Sequence, residues 1–236
     1  MTTSVAAELA PQGILVASIN LGNPVLAQGS AQDPGGVSVD IAREIAARLG
    51  VRAELTCFDA ARKSLAALLS GQASIGFLAI EPARAEQVAF TPPYVLIEGV
   101  YAVPRDSPLA TLADVDAPGI RIGVKEGSAY DLYLTRTISR ATVVRGEDGT
   151  TVFTDEGLEV AAGIREPVTR FVAGQPGLRL IDGAFMQIRQ AVGVTRARSP
   201  EAVAFLAEVI EDLKASGFVA DSLRRSGQGA PVAPPA

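Results

Sequence analysis

Histidine and tryptophan are absent from the 236 residues, and cysteine occurs once, as Cys57. Without histidine there is no Ser-His-Asp triad, no Cys-His dyad and no imidazole base working near neutral pH. Zinc sites built on histidine or on several cysteines are excluded too, as is a disulfide within the chain. Neither a metal nor a cofactor is called for by the residues present, and any catalysis would rest on carboxylates, Lys, Tyr, Ser/Thr or Arg. Lysine is scarce as well: Lys63, Lys125 and Lys214 are the full set, and the arginines are spread singly. With 21 basic against 26 acidic side chains the net charge is −5. Phosphate neutralisation needs clustered cations, so a nucleic-acid partner is not expected.

Long apolar runs are also missing; none reaches the roughly 18–20 residues that span a bilayer. The opening stretch, Met1 to Pro11, has neither a basic n-region nor an apolar h-region. It does not read as a secretory signal, and a cytoplasmic location is the literal expectation unless an export signal has been removed.

What is present is a strand-helix rhythm. Ile14–Ile19 reads as a strand followed by an Asn20–Pro24 turn, and Ile41, Ile45 and Leu49 mark one buried helical stripe ended by Gly50. Val51–Phe58 alternates like a strand, Asp59 is placed to cap a helix running to Ser70, and Ala73–Ile80 reads as a strand buried on both faces. Pro82 suits the first turn of a short helix that carries Arg84. An extended stretch, Val95–Val103, leads through a linker-like segment to a second round: strand Ile120–Val124, helix from Ala129, strand Glu159–Ile164 and a helix opened by Pro167. Residues 141–157 are polar and read only as a short helix. A second extended stretch, Phe185–Val194, precedes a long helix from Pro200 to Lys214.

Alternation of this kind predicts an α/β fold with mainly parallel sheets and helices on both faces. Two such units joined by two extended crossings predict two lobes. The first comprises residues 1–99 plus 190–226 and the second residues 100–189, with a Pro/Ala-rich tail, 227–236, expected to be disordered. Ligands of such sheets bind where strand carboxyl ends meet helix N-termini, here expected in the cleft between lobes.

Five segments in this order resemble the bacterial extracellular solute-binding proteins of family 3, receptors of amino-acid ABC importers. They are Gly36-Val37-Ser38-Val39-Asp40-Ile41-Ala42; Leu68-Leu69-Ser70-Gly71; Arg84; Phe90-Thr91-Pro92-Pro93-Tyr94; and Gly123-Val124-Lys125-Glu126-Gly127-Ser128. The likeness runs from about Gly13 to Gly227 and implies a type II periplasmic-binding-protein-like fold with two hinge crossings. It implies a monomer that closes by hinge motion around a small ligand, an amino acid or related organic acid, and hands it to an ABC transporter permease.

On this resemblance Arg84 clamps the ligand carboxylate, the bidentate geometry a guanidinium favours; the plain alternative is a surface helix arginine. Gly127 and Ser128 would offer an anion site at a helix start, or an ordinary N-cap. Asn20 and Asn23 are candidates to line the pocket, or turn formers. Phe58 would pack on the ligand, or belong to the core. The aspartate that family members use for the ligand ammonium is missing, and Arg165-Glu166 stands beside its place. Two arrangements stay open: Glu81 or Glu166 takes the ammonium, or Arg84 with Arg165 takes a dicarboxylate or another anion without an amine. The alternative functions are a carboxylate-catalysed, cyclohexadienyl- or prephenate-dehydratase-like enzyme, with Glu81, Glu126 or Glu166 as the acid, and a cytosolic ligand sensor.

Overall fold

The structure, a computed structural model, describes residues 2–236, with side chains described from Ser4 onward. Along the chain run α1 (Thr2–Leu9), β1 (Ile14–Asn20), the short pair β2 (Gln28–Gly29) and β3 (Pro34–Gly35), α2 (Val37–Leu49), β4 (Arg52–Phe58) and α3 (Ala61–Leu69). Next come β5 (Ile75–Ala79), the single turn α4 (Pro82–Ala85), β6 (Val88–Phe90) and β7 (Val95–Pro104). Then follow β8 (Arg121–Lys125), α5 (Ala129–Thr137), β9 (Thr142–Gly146), α6 (Gly149–Glu156), β10 (Val160–Ile164), α7 (Arg165–Ala173) and β11 (Leu178–Leu180). The last elements are β12 (Met186–Thr195), α8 (Pro200–Ala215) and α9 (Phe218–Arg225). Contacts divide the chain into two compact units. Unit 1 runs up to Leu96 and resumes with Arg189–Ala236; unit 2 is Ile97–Ile188.

In unit 1 the strand order β4-β1-β5 is parallel, in register from Ile14↔Arg52 to Asn20↔Phe58. Parallel neighbours need a crossover, which α2 and α3 supply. Gln190–Gly193 of β12 then pairs antiparallel with β5, and β6 pairs antiparallel with the end of β12. β5 is buried at all five positions, as a strand covered on both faces must be. α1 is tied down by α8: Arg198 Nη1 donates to the Glu8 carbonyl at 2.7 Å, and Ser199 donates through N and Oγ to the Glu8 carboxylate. Tyr94 is fully buried, its hydroxyl hydrogen-bonded to Ser38 Oγ at 3.0 Å and its ring edge-on to Phe77.

Unit 2 repeats the scheme with the parallel order β10-β8-β9, and β7 lies antiparallel to both β10 and β11. Helix α6 lies hard against this sheet. A Cβ on Gly149 would sit 2.6 Å from the Ala162 carbonyl and 3.1 Å from that of Gly123. Asp116 ties the end of α5 to the preceding loop by accepting N–H bonds from Ser139, Arg140 and Ala141.

The structure departs from the sequence reading in four places. Residues 141–157 hold strand β9 as well as a helix; Thr142–Gly146, with adjacent Val143 and Val144, lies at the sheet edge and shows no clean alternation. α7 begins two residues before Pro167, which sits within its first turn. α3 is preceded by Ala60 with no side-chain cap, and Asp59 instead pairs with Lys63 at 2.8 Å. The expected disordered tail is docked. Val232 bridges Val95, the Leu96 N–H donates to the Pro231 carbonyl at 3.0 Å, and Ala233 is buried. Proline-rich chain is already extended, so docking it costs less entropy than its composition suggests.

Gly149→Ala should destabilise the protein by about 1–3 kcal/mol, the usual cost of forcing a methyl into packed backbone. Urea unfolding reads this as a lower midpoint at unchanged m. The backbone N–H bonds from Ala141, Arg140 and Ser139 hold the Asp116 carboxyl well below its ordinary value of 3.8. A depressed carboxylate stabilises above its unfolded pKa and loses that contribution as pH falls through the folded one. Asp116→Ala should therefore melt earlier than the parent at about pH 7, and the gap should close under strong acid. Thermal melts across that range measure it.

Candidate functional site

In both units the candidate residues collect at the carboxyl ends of the parallel strands. In unit 1, Asn20 ends β1 and Phe58 ends β4, and the two are register partners. The next N–H, of Leu21, donates to the Phe58 carbonyl at 2.7 Å. Beyond the end of β5 comes Glu81 in extended conformation, then Pro82 at the start of α4, then Arg84. The single turn folds Arg84 back so that Nη1 reaches the carbonyl of Ala79, the last residue of β5, at 3.4 Å. Arg84 is 3% exposed and Glu81 2%, so two groups of opposite charge share one buried corner. Burial pushes the Arg84 guanidinium down to about 10, and the Glu81 charge pulls it back up. It is a cation at neutral pH.

The loop after β1 is a turn. Asn20 Oδ1 accepts the Gly22 N–H at 3.0 Å, and Asn23 Oδ1 accepts the Val25 N–H at 3.2 Å. Asn23 is buried and Phe58 half-buried. The asparagines thus do what Asx turns do, holding the loop beside the strand ends.

In unit 2, Gly127 and Ser128 follow the carboxyl end of β8, and Arg165 and Glu166 follow that of β10. Gly127 has φ +68°, which favours glycine, and its N–H donates to Asp131 Oδ2 at 2.8 Å. Ser128 Oγ accepts the Asp131 N–H at 3.0 Å, the N-cap of α5. Asp131 is buried and also pairs with Arg145 at 3.0 Å. The Ser128-x-x-Asp131 spacing signals this cap in the sequence; Arg145, fourteen residues on, is not signalled. Arg165 pairs with Glu98 through Nε and donates from Nη2 to the Gly183 carbonyl at 2.8 Å. Glu166 accepts from Arg170, one helical turn on, at 2.6 Å. Both are half-exposed pairs at a helix start, committed to partners within unit 2.

Glu98 and the aromatic stack of unit 2 escape sequence reading. Tyr101 and Phe185 stack with centroids 4.2 Å apart, and Tyr133 lies 6.0 Å from Phe185. These residues are far apart in sequence, and only the strand pairing brings them together.

The model of the bacterial extracellular solute-binding proteins, family 3, matches residues 14–226. The chain belongs to this family. No curated protein matches its sequence. Among solved structures, this family 3 protein is similar to a mutant of ArgBP from T. maritima, with TM-score 0.77 and 22% identity, covering 94% of this chain and 99% of that one. It is also similar to AbpA from Streptococcus pneumoniae, an amino acid ABC transporter substrate-binding protein bound to L-arginine. There the TM-score is 0.75 at 21% identity, over 92% of this chain and 96% of that one. A third likeness is to the ancestral amino-acid-binding protein AncCDT-1, a precursor of cyclohexadienyl dehydratase, with TM-score 0.75, 18% identity and coverage of 93% and 97%. The fold of this family 3 protein is α/β and periplasmic-binding-protein-like. Among the described residues, no helix is long and apolar enough to cross a membrane.

Removing one of two neighbouring buried charges of opposite sign leaves the other uncompensated, at a cost of up to about 3–5 kcal/mol. Glu81→Gln should show a loss of that order, and the double variant Glu81→Gln/Arg84→Met a smaller one. Chemical unfolding of the parent, both single variants and the double closes the cycle; additive losses would mean the two charges do not interact.

Proposed function

We propose that this protein is a receptor for a zwitterionic amino acid, with Arg84 taking the ligand carboxylate and Glu81 its ammonium. The observation that carries this reading is the buried Glu81–Arg84 corner at the carboxyl ends of the unit 1 strands. A cation so placed favours a planar anion through paired hydrogen bonds. A plain anion that draws Arg84 away from Glu81 would leave a buried carboxylate uncompensated, whereas an amino acid answers both charges at once. Glu166 and Arg165 are engaged by Arg170 and Glu98, which weighs against the dicarboxylate arrangement. The amino-acid-binding neighbours support the same ligand class. Closure of the two lobes on the ligand, action as a monomer, and delivery to an ABC transporter permease belong to this reading. Gly127 and Ser128 contribute by presenting the start of α5, and Asn20, Asn23 and Phe58 by shaping the loop edge in unit 1.

The dehydratase-like alternative draws on the AncCDT-1 likeness and on the burial of Glu81, which gives it a carboxyl in an apolar corner. In the receptor reading Glu81 is a counter-charge and no bond of the ligand breaks.

A thermal-shift screen of amino acids, dicarboxylates and aromatic acids separates these readings. A ligand at 100 times its Kd stabilises by about 2.7 kcal/mol. An amino acid should give this shift, and Arg84→Ala should abolish it. Ligand stabilisation that survives in Arg84→Ala, or a shift with dicarboxylates alone, sinks the proposed assignment. Turnover of a prephenate-like acid that is lost in Glu81→Gln would replace it with the enzyme.

A further inference from the structure

β7 passes from unit 1 to unit 2 between Leu96 and Ile97, and its last unit 1 residues are fastened from two sides. The Tyr94 N–H donates to the Gln190 carbonyl at 2.8 Å. On the other side the Tyr94 carbonyl accepts the Ala233 N–H at 3.1 Å, the Leu96 N–H donates to the Pro231 carbonyl at 3.0 Å, and Val95 bridges Val232. Within unit 2, β7 is held from Gly99, which pairs with Ile164 and accepts the Phe185 N–H at 2.9 Å.

The segment 231–234 is anchored in turn to α8. Lys214 Nζ donates to the Pro234 carbonyl at 2.9 Å and pairs with Glu211 at 2.6 Å, and its side chain is only 4% exposed. A lysine at a helix end is ordinarily solvated. The side chain of this one is largely covered, and its ammonium meets one carboxylate and one carbonyl. A half-open pocket of about 260 Å³, with Glu211, Lys214, Val232, Ala233 and Pro235 in its lining, lies between the segment and α8. The segment is therefore held by a few specific bonds and one buried methyl, not by continuous core packing. Proline at 231, 234 and 235 keeps it extended, which lowers the entropy lost on docking.

We infer that residues 231–234 are a strap that clamps Tyr94–Leu96 to unit 1 and so confines bending of β7 to the residues after Leu96. With the strap seated, unit 1 extends to Leu96. With it lifted, the Leu96 N–H and Tyr94 carbonyl lose their partners, and the flexible stretch of β7 lengthens toward Tyr94. This is a property of unit 1 alone and stands or falls independently of the ligand assignment.

Residue-resolved hydrogen exchange on the full chain and three variants tests it. Ala233→Glu puts a charge where a methyl is buried, deletion of residues 230–236 removes the strap, and Lys214→Met removes its anchoring ammonium while keeping an unbranched apolar stem. Exchange of the Leu96 amide should rise at least tenfold in Ala233→Glu and in the deletion, and less in Lys214→Met. The Phe185 amide, held by Gly99 within unit 2, and the Ser74 amide, held by the Val16 carbonyl in unit 1, should be unchanged. An unchanged Leu96 amide in all three variants overturns the strap. An equal rise across unit 1 overturns it too, because the segment would then be ordinary core. Should the two tail variants fail to fold, Lys214→Met alone decides between these outcomes.

Discussion

Parallel pairing is the constraint on which the rest of this protein depends. A strand cannot follow its parallel neighbour without a crossover, so the sets β4-β1-β5 and β10-β8-β9 must alternate with helices and run each strand of the set in the same direction. All carboxyl ends then fall along one edge of the sheet, and all the loops leading into helices emerge there. Asn20, Phe58, Glu81 and Arg84 lie 64 positions apart in sequence at the extremes, yet β4, β1 and β5 deliver them to one edge of unit 1. The same topology in unit 2 brings Gly127, Ser128, Arg165 and Glu166 to the edge of β10, β8 and β9.

The two edges differ in electrostatics. In unit 1, Arg84 and Glu81 are buried together, and their charges matter because water does not screen them. In unit 2, the charged candidates lie half in solvent and are satisfied locally: Arg165 by Glu98, Glu166 by Arg170, and the Gly127 amide by Asp131. Exposed pairs of this kind contribute little to stability. Among the candidates, buried charge is therefore concentrated in unit 1, where two groups of opposite sign share a corner closed to solvent.

Much of the fold is legible in the sequence where periodicity and punctuation agree. The stripe Ile41, Ile45, Leu49 with Gly50 marks α2, the apolar run 75–79 marks β5, and Pro82 marks the turn that carries Arg84. Strand β9 is not legible, because Thr142–Gly146 is an edge strand whose exposed face erases the alternation. The C-terminal segment misleads for a different reason. Its composition is that of disordered chain, but Ala233 and the Pro231 carbonyl find partners in α8 and β7 that no local pattern announces.

The sequence by itself determined the fold class and the family, and it excluded chemistry built on histidine. The lack of histidine, the scarcity of lysine, the strand-helix rhythm and the motifs around Arg84 and Gly127 suffice for an α/β member of solute-binding family 3. Only the tertiary structure decided which of those positions are buried together, which are engaged by neighbours distant in sequence, and what the tail does. Local preferences depend on residues three or four apart. Burial and charge pairing depend on segments such as 94–96 and 231–233, or residues 98 and 165, that meet only when the sheet is assembled.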